Sequence, residues 1–300
     1  RTVLHRNAFG TDDLVRCRGA RVGTKALVEA FRAEVAQTVG LVVQRAEQRK
    51  GKAREDALKL LSEARRSLGR TALCLSGGGA LAMCHFGVVR ELMLQGLMPK
   101  VVSGCSGGSI VAAYLAGLTD EEALEGVRPD ISTRYGVRWF QPLHKMLVHF
   151  LKHGVLMDAA FFEQTTAAYW GDTTFAEAHA RSGRVVSIQV SVGTGHGFVL
   201  NYITAPQVLL RSAVCASCSL PGLMRPVELL AKDDSGAIVS FHPPGVACFD
   251  GTYTADIPSA RLTEMFDCNQ FLVVQVNPHI NFLLHAEGML DPDPPHRDAH

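Results

Sequence analysis

Apolar and polar positions divide this chain into two parts with different periods. Residues 25 to 69 read as helix, and in the later stretch Ala57, Leu61, Ala64 and Leu68 recur at i, i+4, i+7 and i+11 among Lys, Arg and Glu. That spacing predicts an amphipathic helix with one face laid against a core. The pattern changes at Arg70. Thr71 to Leu75 is a short strand-like run, followed by Ser76-Gly77-Gly78-Gly79 and a helical stretch from Ala82 to Gln95. A second short strand, Lys100 to Ser103, leads through a glycine-rich turn, Gly104 to Gly108, into the small-residue helix SIVAAYLAGL. Two strand–loop–helix units in succession predict a parallel sheet covered by helices, an α/β fold. Farther on, Arg184 to Val192 reads as a strand, residues 207 to 217 as a helix, and Val246 to Phe249 as a short strand ending at Asp250. Phe271 to Val276 reads as another buried strand. The expected organisation is an N-terminal helical segment over 1–69, an α/β domain over 70–285, and a linker or disordered tail over 286–300. The tail's last ten residues, DPDPPHRDAH, are rich in proline and charge.

Composition narrows the classes. A hydrophobic fraction of 47% with 20% charged residues describes a globular chain rather than a disordered one. Thirty basic and twenty-nine acidic residues leave a net charge of +1, so no whole-chain field draws nucleic acid, and none is expected as a partner. The eight cysteines are spread along the chain, and several sit in apolar runs as small buried hydrophobes of a reducing, intracellular compartment. Cys215 and Cys218 form a C-x-x-C pair, but no second pair stands at zinc spacing, so the pair reads as structural. No signal peptide and no apolar run of the ~20 residues a spanning helix needs is present. The first residue is not methionine, and both ends read as cut from something longer.

Three short motifs carry chemistry. Gly104-Cys105-Ser106-Gly107-Gly108 matches G-x-S-x-G, placed after a strand and at the start of a helix. There a sharp turn pushes a serine hydroxyl out at the top of a sheet, and glycines at minus two and plus two let the backbones approach. Gly77-Gly78-Gly79 ends the preceding strand, where unobstructed N–H groups and a helix N-terminus suit a developing oxyanion. The same loop fits G-x-G-x-x-A, a dinucleotide pattern, but the next strand lacks the acidic residue that would hold ribose hydroxyls. The third motif, Asp250-Gly251-Thr252, is by itself a turn signal. Beside the other two, Asp250 is a candidate proton acceptor for the serine.

Together, LSGGGALAMCHFGVV, VVSGCSGGSIVAAYLAG and FDGTY resemble the patatin-like phospholipases. LLSEARRSLGRTALCLSGGGA, FLKHGVLMD, LNYITAPQVLLRSAVCASCSLP and QVNPHI are similar to that family's lipid-droplet triacylglycerol lipases, including the plant sugar-dependent lipase and fungal relatives. The resemblance covers roughly residues 55 to 285. It implies a three-layer α/β/α sandwich with a mostly parallel central sheet. It also implies a Ser–Asp dyad falling on Ser106 and Asp250, with Gly77, Gly78 and Gly79 as the oxyanion loop. Spacing alone does not bring Asp250 to Ser106 across 144 residues. The implied activity is release of fatty acid from a neutral glycerolipid through an acyl-enzyme, peripherally on a lipid droplet or membrane, with no metal or organic cofactor. A phospholipase A or lysophospholipid acyltransferase with the same dyad is one alternative, and a catalytically silent lipid-surface scaffold is another. Thr252 stands where the family commonly has glycine or alanine. Ala82 and Cys84 stand where its glycine and asparagine are expected, so a narrower loop is anticipated.

Other residues compete for roles. His242 and His279 lie near strand ends and are candidates for a histidine base, but the resemblance gives histidine no part, and packing or surface roles are the simpler reading; His85, in the helix after the glycine loop, is expected to hydrogen-bond locally. Leu143, Met146, Leu147, Phe150 and Leu151 form an apolar stripe at helical spacing, with His144, Lys145, His149 and Lys152 on other faces. Such a helix either covers the sheet or lies on a lipid surface. The core reading is the expectation.

Overall fold

The computed structural model describes residues 26–128, 131, 139–193, 196–243, 245–253 and 257–277. The anticipated tail over 286–300 and His279 lie outside them. The described residues form two compact units, one of residues up to 70 with 263–270 and one of residues 71–262 with those from 271 on.

In the smaller unit the single helix expected over 25–69 is two, α1 (Ala26–Glu47) and α2 (Lys52–Leu68). The break is at Gly51, whose φ of 59° is a left-handed conformation that glycine adopts without steric cost. α1 and α2 pack on each other. The face of α2 was expected to be laid against a core, and here the structure corrects the sequence. No α2 residue is buried; Ala57, Leu61 and Ala64 are half-buried and Leu68 is exposed. A helix meeting a single partner helix keeps most of its circumference in water.

Most of the sheet lies in the larger unit. In chain order the elements that follow α2 are β1 (Arg70–Leu75), a 3-10 turn (Gly79–Cys84), α3 (His85–Leu94), β2 (Val101–Cys105), α4 (Gly107–Ala116) and α5 (Asp120–Gly126). Next come α6 (Leu143–His153), α7 (Ala159–Trp170), α8 (Phe175–Ser182), β3 (Val185–Val192), β4 (His196–Leu200) and α9 (Leu210–Ser217). The series closes with β5 (Leu230–Lys232), β6 (Ile238–Ser240), β7 (Cys248–Asp250), a 3-10 turn (Gly251–Tyr253), α10 (Ser259–Phe266) and β8 (Cys268–Val274). The strand order is β4-β3-β2-β1-β8, and β7 also pairs with β3. β1, β2 and β3 run parallel and are buried almost end to end, as strands covered on both faces are. The fold is the expected α/β sandwich with a mostly parallel central sheet. β5 and β6 form a separate antiparallel ribbon.

One detail of register positions everything below. β2 pairs with β3 over residues 185–189, and β4 pairs with β3 over 188–192, so β2 and β4 occupy opposite edges. β7 pairs antiparallel with residues 190–192, which β4 already holds on its own edge. β7 therefore shares the β2 edge. The two strands lie end to end there, with Cys105 opposite Gln189 and Asp250 opposite Val190. Their C-terminal ends face each other.

Two further expectations need correction. β8 is not a buried strand: it ends the strand order, and Leu272 and Val273 are 40% and 41% exposed. An edge strand and a central one carry the same apolar run. α6 likewise has no buried residue and is not the core helix expected; only Met146 packs on the hydrophobic core as a partly buried side chain.

At the N-terminal end of β3, Arg184 is fully buried, and its guanidinium pairs with Asp120 at the start of α5. Lys100 adds a second contact to the same carboxylate at 3.2 Å. The Asp120 side chain is itself 46% exposed, so removing it leaves the buried Arg184 guanidinium without its carboxylate at less than the full cost of a buried pair. Asp120→Ala is therefore expected to cost on the order of 2 kcal/mol of folding stability, read as a lowered urea midpoint with unchanged slope.

Candidate active site

β2 ends at Cys105, and the chain turns into α4 through Ser106. Ser106 holds φ 49° and ψ −127°, a positive φ that a non-glycine residue adopts at a cost of about 1–3 kcal/mol. The surroundings fix it there. Its N–H donates to Ser217 Oγ at 2.9 Å, and its carbonyl accepts from both the N–H and the hydroxyl of Ser109, at 2.8 and 2.6 Å. Serine at a helix N-cap ordinarily uses its side chain to accept a backbone N–H. Ser106 makes no such capping bond, so its partly exposed hydroxyl is not consumed by the helix.

The glycines around it are demanded by close approach. A Cβ on Gly104 would collide with the backbone of Gly108 and Ser109, and one on Gly108 would collide with the carbonyls of Leu75 and Ser76. A Cβ on Gly107 would come within 2.6 Å of the Ala82 methyl and 2.8 Å of the Gly79 carbonyl. The first turn of α4 thus lies directly on the glycine-rich loop. Within that loop Gly78 has φ 155° and Gly79 φ 57°. Ala82, anticipated as a narrowing of the loop, is fully buried and fills the space in front of Gly107. His85 is also fully buried, and its Nε2 lies 3.0 Å from the Ser76 carbonyl. A carbonyl can only accept, so Nε2 carries the proton and clamps the start of the loop.

Asp250 ends β7 and is fully buried. Its Oδ1 accepts from the Thr252 N–H at 2.9 Å and the Thr252 hydroxyl at 2.8 Å. The Cys105 thiol sulfur lies 3.9 Å from the same oxygen. Cys105 immediately precedes Ser106, so the carboxylate sits beside the serine elbow, as the shared edge of β3 requires. A Cβ on Gly251 would strike the backbone of Gln189, so the chain leaves β7 pressed against β3. Thr252, a departure from the family pattern, is therefore a donor to this carboxylate.

Sequence reasoning missed the segment that ties the two together. At the end of α9, the Ser217 hydroxyl accepts from Ser106 N–H and donates to the Gln189 carbonyl at 2.7 Å. Two residues on, the Ser219 carbonyl accepts the Asp250 N–H at 3.1 Å. Nothing in a helical run of small polar residues marks them out in advance. His242 follows the β5–β6 ribbon and meets Phe241 edge-on.

A half-buried serine on a strained strand-to-helix turn, a glycine loop against that turn and a buried carboxylate at an adjoining strand end are an arrangement capable of acyl transfer. A family model described as patatin-like phospholipase matches residues 73–260. The chain belongs to the patatin-like phospholipase family. It is 34% identical over 286 residues to a patatin-like phospholipase domain-containing protein of Yarrowia lipolytica, covering 94% of this chain and 34% of that protein. It is 33% identical over 298 residues to triacylglycerol lipase ptl2 of Schizosaccharomyces pombe, covering 97% of this chain and 46% of the relative. The chain thus spans between a third and a half of the length of these relatives. Human GIVD cytosolic phospholipase A2 is similar over 91% of this chain and 54% of that one, at 12% identity and a TM-score of 0.46.

The buried cysteines of this patatin-like domain are packing residues. Burial pushes the Cys215 thiol up to about 12 and the Cys248 thiol up to about 11. Burial, and then the nearby Asp250 charge, push Cys218 well above its ordinary value. Cys215 and Cys218 of the C-x-x-C pair each contact a hydroxyl on another helix, Thr166 at 3.2 Å and Ser109 at 3.9 Å. A thiol whose folded value lies above its unfolded one favours folding at neutral pH, and that contribution fades as pH rises through the folded value. Thermal midpoints are expected to fall progressively as pH rises from the unfolded value of 9.0 toward 11. Labelling with a small thiol reagent at pH 8 should mark Cys84, which is exposed, ahead of the six other cysteines among the described residues.

Proposed function

We propose that this chain is a serine lipid acyl hydrolase that releases fatty acid from triacylglycerol, with Ser106 as nucleophile and Asp250 as base. The observation that carries the reading is the shared edge of β3, which brings the ends of β2 and β7 together so that Cys105 Sγ lies 3.9 Å from Asp250 Oδ1. The reading also draws on ptl2, a relative named as a triacylglycerol lipase.

The chemistry follows from the positions. Ser106 Oγ attacks the ester carbonyl while its proton passes to the Asp250 carboxylate. The new C–O bond leaves negative charge on the carbonyl oxygen, which the N–H groups of the Gly77–Gly79 loop and the N-terminal end of α4 stabilise. Collapse expels the glyceride alkoxide, which takes the proton from Asp250. Water then attacks the acyl-enzyme with Asp250 again as base; the acyl–Oγ bond breaks, Ser106 Oγ takes the proton back from Asp250, and fatty acid leaves. Thr252 holds Asp250 Oδ1 through two donors. A cavity of about 750 Å³ is lined by Met83, Phe86, Val127 and Ile131 together with Arg90 and Arg128. No helix among the described residues is long and apolar enough to cross a membrane. A water-insoluble substrate is the reason we assign the enzyme a peripheral position on a lipid droplet or membrane.

Two outcomes test this. A fluorophosphonate probe should label Ser106 in the folded protein. Ser106→Ala and Asp250→Asn should each lower ester hydrolysis by roughly a thousandfold or more, with folding retained by circular dichroism. A folded protein that takes no label at Ser106 is instead a lipid-surface scaffold. Thr252→Val should lower kcat by about tenfold, and Thr252→Ser should restore most of it, because the hydroxyl rather than the methyl reaches the carboxylate. Fatty acid release compared on triacylglycerol and phosphatidylcholine decides the substrate class. Preference for phosphatidylcholine would replace the lipase by a phospholipase using the same two residues.

A further inference from the structure

α6 reads LHKMLVHFLKH and presents its apolar side chains to solvent. Leu143 is 79% exposed, Leu147 55% and Leu151 77%, with Val148 and Phe150 also exposed. At helical spacing Leu143, Leu147, Phe150 and Leu151 share one face, while Lys145 and Lys152 lie on roughly the opposite side. The helix contains no acidic residue, and Lys145, Lys152, His144 and His153 are exposed. A left-handed Gly154 ends it cleanly, its N–H donating to the Phe150 carbonyl at 2.8 Å. Such a stripe, rimmed only by basic groups, is the chemistry of an in-plane helix whose leucines enter the acyl boundary while its lysines meet anionic headgroups.

The helix is also wired to the candidate centre. Just beyond its C-terminal end, the N–H groups of Leu156 and Met157 donate to the carbonyls of Gly222 and Leu223 at 3.3 and 2.7 Å. The Arg225 guanidinium reaches the His153 carbonyl at 3.4 Å. Those carbonyls lie three and four residues past Ser219, whose own carbonyl holds Asp250.

We propose that α6 is an interfacial docking helix that seats this chain on a lipid surface bearing anionic phospholipid headgroups. It rests on the lipid-hydrolase reading for its purpose, but not for its test. The full 300-residue chain would be sedimented with phosphatidylcholine vesicles, with and without phosphatidylserine. The wild type should bind the phosphatidylserine vesicles more tightly, and added salt should weaken that preference. Leu147→Ser combined with Leu151→Ser should lower binding to both by about tenfold or more, since both side chains are already exposed and need not be buried for folding. Lys145→Glu combined with Lys152→Glu should abolish only the preference for phosphatidylserine. Both variants should hydrolyse a soluble short-chain ester at the wild-type rate, and Ser106→Ala should bind vesicles as the wild type does. Failure of the dyad would leave vesicle binding intact, so the two ideas fail separately. Equal vesicle binding by wild type and the leucine variant would overturn the proposal. So would a solution dimer, detected by sedimentation velocity, that the leucine substitutions dissociate, because the face would then belong to a second copy.

Discussion

The candidate centre depends on how one edge of β3 is divided. A strand edge offers a single row of N–H and C=O groups, and each can be taken once. β2 takes those of residues 185–189 and β7 those of 190–192, so neither strand can lengthen without displacing the other. Both chains must leave the sheet where they meet. β2 leaves through the strained turn at Ser106, and β7 through Gly251 pressed on the Gln189 backbone. The junction is closed by Ser217, whose hydroxyl spans Ser106 N–H and the Gln189 carbonyl. The serine and the aspartate are neighbours because two strands run out of partner at one point.

That crowding sets the composition around it. The backbones of β1, the glycine loop and α4 approach closely enough that side chains on Gly104, Gly107 and Gly108 have no room, and every residue of α4 is buried. Burying so much backbone at a turn leaves polar groups to satisfy, and short hydroxyl side chains do this with little volume. Ser109, Ser191, Ser217 and Thr252 each bond a named group of the Ser106 or Asp250 segments. Burial also keeps the neighbouring thiols neutral. Cys218, pushed up by desolvation and by Asp250 itself, cannot add a second negative charge beside the carboxylate at neutral pH.

How much of this was legible in the chain follows from sequence separation. The serine elbow and the glycine loop are local motifs, and their strand–turn–helix context is read from a dozen neighbouring residues. Asp250 required the family resemblance, because a three-residue strand pairing antiparallel with β3, 60 positions back from Asp250 to Val190, leaves no periodic trace. Ser217 and Ser219 were invisible for a related reason: their partners are backbone groups of distant strands. Thr252 was visible only as a departure, although its contact spans two residues, because a pattern states what is usual rather than what a side chain touches. β8 and α6 were misjudged together. Periodicity says which residues share a face, and an apolar face looks the same whether protein or solvent lies against it.

That last ambiguity separates two kinds of apolar surface in this molecule. The central strands and α4 are apolar or small on all sides and carry no basic rim, and they are buried accordingly. α6 instead opposes leucines to lysines on one short helix, a pattern that gains little inside a core, where the ammonium groups would have to be desolvated. The same opposition is favourable at a boundary between hydrocarbon and water. Because α6 is followed by chain bonded to Gly222 and Leu223, a force seating it on lipid bears on the strand of backbone that continues from Ser219. The rigid junction at β3 and the exposed helix are thus successive stations on one short path, residues 217 to 225. The proposed surface attachment at one end of that path would orient the other end toward the lipid.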